Sequence, residues 1–474
     1  MLTKGFLERF KISKNPYTCY IWEHFLLYLV AAGVYHACEK WKNPFDSLTS
    51  LILGTLCLHS KTRTFFLPAA LIYFFTKTLL KFPNLANHSN LYLYLLGFIL
   101  GVHLCKFMRI NFSYQKVKNS IILSLFVVYL MATVHKFNSG FFYADTNCAV
   151  WYFEKLHYLI FRSHIELPQF FKIISPYMAI AIEGVTSIFL ITKNKYKLIG
   201  LGFGLFLHFL LGVGGFADFA SLCLGVYFLT APSKSLYFKS SFFGMNATQV
   251  FLLSSLFSGG MTGVFFKLMT YGHEVLPYSH VRVTQGIVLI FGSYFLAKQI
   301  LVSLKLFFFK GNFSFKKITF IDFKKSYIFV WGFLFVFSLF PYLGLRNLGT
   351  FAMFSNLKNI GGVNNHFFIP QFDVFPFLKD KIDIQRMSYP QILKKSFHNY
   401  VYSKEGLKIF LYKERLDLEH MNSPLKVVYF ENGKRFESSN LWQDPKFKVE
   451  KSPWYWTFLH IKGQDRNENN LCIR

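Results

Sequence analysis

The sequence predicts an all-α polytopic membrane bundle of about nine to eleven membrane segments, followed by a small C-terminal extramembrane domain that is β-rich or α+β. Three observations predict it. Hydrophobic residues make up 53% of the 474-residue chain and charged residues only 16%, against the ~25% charge of an ordinary soluble domain. Apolar stretches of roughly 15–22 residues recur through the first three-quarters of the chain. The lysine-rich connections fall on one side when successive stretches cross in alternation. The 61 Phe residues exceed what one water-surrounded core can house, and this hydrophobicity excludes disorder. The 7 Cys are too sparse for a disulfide scaffold.

The apolar stretches lie near 20–38, 46–59, 65–80, 91–109, 119–134, 171–192, 198–212, 216–230, 249–269, 283–309 and 326–346. The second is short, as are the two flanking Gly212–Gly215, which fit tilted spans or a re-entrant pair. Lys4, Arg9, Lys11 and Lys14 precede the first stretch. Lys61 and Arg63, then Lys106, Arg109, Lys116 and Lys118, then Lys193, Lys195 and Lys197 follow later ones. Lys234 and Lys239, then Lys310, Lys316, Lys317, Lys324 and Lys325 complete the set. The positive-inside rule places these segments and the N-terminus in the cytoplasm, and 81–90, 135–170, 271–282 and the C-terminus outside. The net charge of +28 is therefore a topology signal, with no nucleic-acid partner expected. No cleavable signal peptide and no internal repeat is evident.

Residues 1–346 read as the multi-pass domain and 347–474 as the extracytoplasmic one. Beyond Gly349 charges of both signs appear and Pro, Asn and Asp punctuate short runs. Leu425–Phe430 followed by Glu431-Asn432-Gly433-Lys434 predicts a strand and hairpin turn. Thr350–Leu357 and Trp456–Lys462 are further strand candidates. Cys19, Cys38, Cys57, Cys105 and Cys223 lie in or beside apolar stretches and read as core. Only Cys148 and Cys472 fall in outer segments, which makes them the candidate disulfide of an oxidising compartment.

Lys136 lies just past the fifth stretch, on the outer side, where the topology calls for no lysine. It fits a snorkelling helix-end residue, or a base whose charged form is disfavoured by burial. The run Asn87-His88-Ser89-Asn90 fits a polar loop cluster or a glycosylation sequon, and His88 in it fits a donor to a developing anion. Glu183 and His208 lie inside apolar stretches and can pair across two helices or serve a site. Glu23 and Asp218 belong to the same class. Glu154, His157, His164 and Glu166 fit interfacial loop positions. No phosphate loop, nucleophile elbow or paired-cysteine metal site occurs, and no spacing argues for a metal.

Four of these segments resemble the vitamin K-dependent gamma-carboxylase-like family, the horizontally transferred transmembrane domain family. Asn87-His88-Ser89 with Leu91-Tyr92 is similar to the segment holding its catalytic histidine. His135-Lys136-Phe137-Asn138-Ser139-Gly140-Phe141 is similar to the segment with its catalytic base. Glu183 through His208 matches an acidic residue and a histidine at similar separation. Phe351-Ala352-Met353-Phe354-Ser355-Asn356 is similar to the start of its extramembrane region. The resemblance spans about residues 20–370. It implies Lys136 as catalytic base, His88 as the anion-stabilising histidine, and Asn87, Glu183 and His208 as substrate- or cofactor-binding. It implies a reduced vitamin K or menaquinone-type hydroquinone, with oxygen and carbon dioxide as co-substrates and no metal. The reaction it implies is epoxidation of the quinol coupled to carboxylation of a Glu side chain of a peptide or protein. The C-terminal region is much smaller than the lumenal region of animal carboxylases, and Phe209–Phe216 replaces the polar run after the family's histidine. The Phe- and Lys-heavy composition points to an AT-rich bacterial genome and a bacterial cell membrane. The rival readings are a non-catalytic membrane scaffold or peptide-maturation protein, and a transporter lined by Glu183 and His208.

Overall fold

The computed structural model describes residues 15–38, 43–82, 85–110, 112–143, 147–161, 163–193, 196–230, 245–270, 278–310, 318–346, 349–352, 355–360, 363–372, 374, 379–387, 400–421, 424–457, 459 and 464–465. Each predicted apolar stretch contains helix, the last of them only over Ile328–Ser338. In order they are α1 (Pro16–Cys38), α2 (Pro44–Leu58), α3 (Ser60–Leu79), α4 (Asn87–Phe107) and α5 (Tyr114–His135). A single turn, α6 (Ser139–Phe142), and α7 (Cys148–Phe161) occupy the segment read as an outer loop. Then come α8 (Gln169–Leu190), α9 (Lys197–Val213), α10 (Ala217–Thr230), α11 (Ala247–Thr270), α12 (Tyr278–Gly292), α13 (Tyr294–Lys310) and α14 (Ile328–Ser338). The single stretch predicted at 283–309 is two helices bent by 58°. The break falls at Gly292-Ser293, where the Ser293 hydroxyl donates to the carbonyl of Leu289 at 2.8 Å, a usual origin of a sharp kink.

Three helices, α4, α5 and α8, are long and apolar enough to cross a membrane, or four if the bent pair counts as one. Among the described residues this is fewer than the nine to eleven membrane segments expected, because α2, α9, α10 and α14 are apolar but shorter. Burial divides the bundle into inner and outer helices. α1 is enclosed on all sides, with Phe25, Leu27, Tyr28, Leu29, Val30 and Val34 fully buried. α10 is buried from Ala220 to Thr230 and packs along α1. Helices apolar all round belong at the centre of a bundle. α8 and α14 instead present Phe170, Ile173, Tyr177, Ile328, Phe329 and Phe333 outward.

Two of the loops that the lysines group together meet. Ile321 N donates to Ile191 O at 2.8 Å and Lys193 N to Thr319 O at 2.6 Å. At the other end Ser139 N donates to Asn365 O and Phe367 N to Phe137 O, both at 3.0 Å. Lys4, Arg9, Lys11, Lys14, Lys195, Lys234, Lys239, Lys316 and Lys317 lie outside the described residues.

The C-terminal region holds a two-stranded ribbon, β1 (Asn359–Ile360) with β2 (Val363–Asn364), and a second antiparallel sheet. The latter comprises β3 (Lys381–Met387), β4 (Tyr400–Ser403), β5 (Val427–Glu431), β6 (Lys434–Ser438) and β7 (Gln464–Asp465), in the order β6-β5-β3-β4-β7. Helix α15 (Lys404–Met421) packs on it. Its core is Ile382, Ile384, Tyr402, Leu407, Val427 and Tyr429. The β5–β6 hairpin turns at Asn432 (φ 50°) and Gly433 (φ 77°), the paired positive φ of a two-residue hairpin loop. Neither of the two further strand expectations is met among the described residues, and 458 and 460–463 lie outside them. Trp454–Thr457 is a 3-10 turn, anchored where the indole of Trp456 and the hydroxyl of Tyr455 both donate to Glu405. The described residues of 350–357 form no strand, because their backbone docks on the helix ends. Met353 and Phe354 lie outside the described residues.

Candidate functional site

α5 ends at His135, with Lys136 as its C-cap (φ −82°, ψ −10°). The turn beyond it is built by Asn138, which is fully buried. Its amide donates to His135 O at 2.7 Å and to Ser355 O at 2.5 Å. Its carbonyl oxygen accepts from Phe141 N at 2.9 Å, capping α6, and from the Asn365 amide at 3.2 Å. A buried amide so satisfied holds its neighbours in one geometry. His366 adds a second tie: its Nε2 donates to Val134 O at 2.9 Å, while Nδ1 accepts from Phe368 N and Ile369 N. That pattern fixes a neutral tautomer. Burial holds this imidazole below its ordinary range, against the opposing pull of the bond to Val134. The His135 ring meets the Tyr342 hydroxyl at 2.8 Å.

This framework directs Lys136 inward, where it is 3% exposed. Its ammonium donates to Glu183 Oε2 on α8 at 2.7 Å and to Ala132 O at 3.3 Å, and lies 5.8 Å from the Phe141 ring centre. The snorkelling alternative is thereby corrected: the amine turns to a carboxylate inside the bundle, not to solvent. Glu183 and His208, read as a candidate pair, take separate partners. His208 Nε2 meets the Tyr129 hydroxyl, which contacts the Tyr227 hydroxyl at 2.5 Å. All three rings are buried, so α5, α9 and α10 are joined by a hydrogen-bonded core.

His88 sits in the first turn of α4 and joins a second carboxylate. Asp218 Oδ2 on α10 lies 3.1 Å from His88 Nε2 and 3.1 Å from His36 Nδ1. Its other oxygen accepts from Phe219 N at 2.8 Å. The three ligand atoms lie within 4.8 Å of one another and can hold a divalent cation, a grouping the sequence spacing did not suggest. Two edges of 3.1 Å are close to the ~3.3 Å between ligands on a tetrahedron with ~2.0 Å bonds. The far nitrogen of His36, however, lies 3.1 Å from the ammonium of Lys81. Accepting from Lys81 puts the imidazole proton on Nδ1, which then donates to Asp218 and offers no lone pair to a metal. The hydrogen-bonded chain Lys81, His36, Asp218, His88 is the arrangement these contacts favour. A carboxylate on one ring nitrogen orients His88.

Asn87, expected to bind substrate or cofactor, accepts from Phe351 N at 2.5 Å. Asn90 donates to Gly349 O at 2.8 Å. Gly349 has φ +77°, and a Cβ there would lie 2.6 Å from the Asn90 amide nitrogen and 2.8 Å from Leu85 O. Asn87 thus fastens the outer chain onto α4. Arg63 takes Glu23 at 2.6 Å. Glu154 accepts from Leu167 N at 3.2 Å, Lys172 pairs with Glu166, His157 meets Ser163 O at 3.0 Å and His164 stacks on Tyr158, so these loop residues hold their own segment. Cys148 is buried, with its N–H donating to Asn356 Oδ1 at 2.8 Å. Its expected partner Cys472 lies outside the described residues.

Sequence reasoning missed His36, Tyr129, Tyr227, Asn138 as organiser, and His366. His36 carried the one available signal, a histidine in the last turn of an apolar helix. No protein-family model, curated protein or solved structure matches this chain.

Proposed function

We propose that the chain is an integral membrane enzyme in which Lys136 acts as base toward the acidic hydroxyl of a lipid-soluble reduced naphthoquinone, as the resemblance to vitamin K-dependent carboxylases implies. The membrane reading draws on the three long apolar helices and the large apolar side chains facing outward on α8 and α14. In this reading the N-terminus is cytoplasmic, the C-terminal domain is extracytoplasmic, and the membrane is a bacterial one.

The observation that carries the proposal is the buried Lys136–Glu183 pair beside an exposed aromatic patch. Tyr177 is 59% exposed, Phe367 52% and Phe368 76%. Phe142 packs on both Tyr177 and Phe367, and Phe137 on Phe368. Such rings offer flat faces to a bicyclic aromatic ligand arriving from lipid. When bound, the hydroquinone supplies the electrons for oxygenation. The protein's part is to move one proton. In the ion pair the amine already holds its proton and can take no other. Glu183, at 2.7 Å, can receive it, leaving a neutral amine and a neutral acid with no net charge created in a water-poor site. The amine then takes the substrate hydroxyl's proton and stands as an ammonium beside the resulting anion. His88, with its ring set by Asp218, assists as the anion-stabilising histidine. Carboxylation of a Glu side chain, with carbon dioxide as co-substrate, is the coupled step the resemblance implies.

Purified wild type given reduced naphthoquinone and oxygen should yield the epoxide by chromatography, and Lys136→Ala should yield none. Equal epoxide from both would overturn the assignment. One observation favours a second reading, a non-catalytic scaffold: Asn87, Asn90 and Asn138 all spend their side chains fastening the outer chain to the helix ends. In that case Lys136→Ala would leave maturation of a partner peptide intact.

A further inference from the structure

At the opposite end from Lys136 lies a cavity of about 380 Å³ between the ends of α5, α9 and the 318–325 chain. Lys118, Lys193, Lys197 and Lys325 line it, with the side-chain amides of Gln115 and Asn119. The cavity is held open by its own framework. Asn119 donates to Lys325 O at 2.8 Å and accepts from Gln115 at 2.8 Å. The chain 319–321 is pinned along 191–193 by the two backbone bonds given above.

Its charge is lopsided. Asp322 is the one acidic residue among those lining it, and one of its oxygens accepts from Lys324 N at 3.0 Å. Among the described residues, none of the four lysines is in an ion pair. Like charges gathered round one space repel unless an anion shares it. Ammonium groups act as point charges for phosphate oxygens, and the volume lies in the range of small-molecule sites, about 300–1,000 Å³.

We propose that this cavity binds a phosphate-bearing anion, either the phosphorylated headgroup of an acidic lipid or a free phosphate ester. Basic pockets between helices on the cytoplasmic side suit such headgroups, and four lysines against one aspartate leave three positive charges for a phosphate to offset.

The test uses the full chain, with thermal unfolding as readout. Wild type would be titrated with inorganic phosphate in detergent at constant ionic strength, and separately placed in nanodiscs of phosphatidylcholine or phosphatidylcholine with phosphatidylglycerol. The same series would be run on Lys118→Gln/Lys197→Gln. Lys193→Gln/Lys325→Gln, at more exposed positions, serves if the first variant fails to fold. Stabilisation of wild type by phosphate, with apparent affinity at least tenfold weaker in the variant, supports the site and assigns a free ester. Stabilisation by phosphatidylglycerol alone, lost in the variant, supports it and assigns the lipid. No stabilisation by either, or an equal shift in wild type and variant, overturns it.

Discussion

Removing the amine of Lys136 should expose how strongly α5 and α8 depend on one ion pair. In Lys136→Met the carboxylate of Glu183 loses its partner at 2.7 Å. Breaking a buried pair by deleting one member costs about 3–5 kcal/mol, because the other charge is left uncompensated. Lys136 is 4% exposed at its side chain and Glu183 16%. Some water can therefore reach the orphaned carboxylate, which points to the lower end, about 3 kcal/mol. Replacing both partners by apolar groups removes the orphan as well as the attraction. Lys136→Met/Glu183→Met should therefore recover most of the loss, so that the double variant costs far less than the single costs added together. Thermal unfolding in one detergent would rank the variants: wild type and double variant close together, Lys136→Met several degrees lower. A single variant that melts with the wild type, or a double variant no better than the worse single one, would show that the pair is not buried as described. The activity prediction is separable: on the role proposed for Lys136, neither variant should make epoxide.

Other outcomes follow from the same contacts. Asn138→Ala should leave the carbonyls of His135 and Ser355 and the N–H of Phe141 without this partner, at about 1–3 kcal/mol for each group left unsatisfied, and limited proteolysis should then cut faster near 355–369. In the outer sheet, burial would raise the carboxyl of Glu431, but Lys446 and Lys404 outweigh it and hold it below the ordinary glutamate value. A depressed folded-state value gives stability present above pH ~4.5 and lost as pH falls through the folded value. Glu431→Gln should accordingly flatten the acid limb of the domain's melting profile, and an unchanged acid limb would remove Glu431 as its source. Non-reducing peptide mapping should recover Cys148 linked to Cys472, and free thiols at both would remove that pairing.

Hydrophobic length was enough to place the helices, because each stretch is apolar over the distance a helix needs to bury itself. The lysines grouped the connecting loops, and two of these, 191–193 and 319–321, lie side by side. The hairpin at Asn432-Gly433 was equally legible, since its two positive φ angles demand those residue types. Partnerships were not. His36 and Asp218 stand 182 residues apart, and Lys136 and Glu183 stand 47 apart, so only tertiary packing decides that Glu183 serves Lys136 and not His208. Nothing in the sequence marks Asn138 as an organiser, because two of its four side-chain bonds depend on Ser355 and Asn365 arriving from far along the chain. Trp456 was mistaken for a strand residue because aromatic runs favour strands, whereas its indole is captured by Glu405.

The measurement that bears most directly on Lys136 as a base is chemical rescue. Lys136→Ala would be assayed for epoxide from reduced naphthoquinone and oxygen, with and without small primary amines of graded basicity. The account predicts no epoxide without amine, and restored formation that rises with the concentration of added free amine. Epoxide from Lys136→Ala at the wild-type rate without any amine would contradict it.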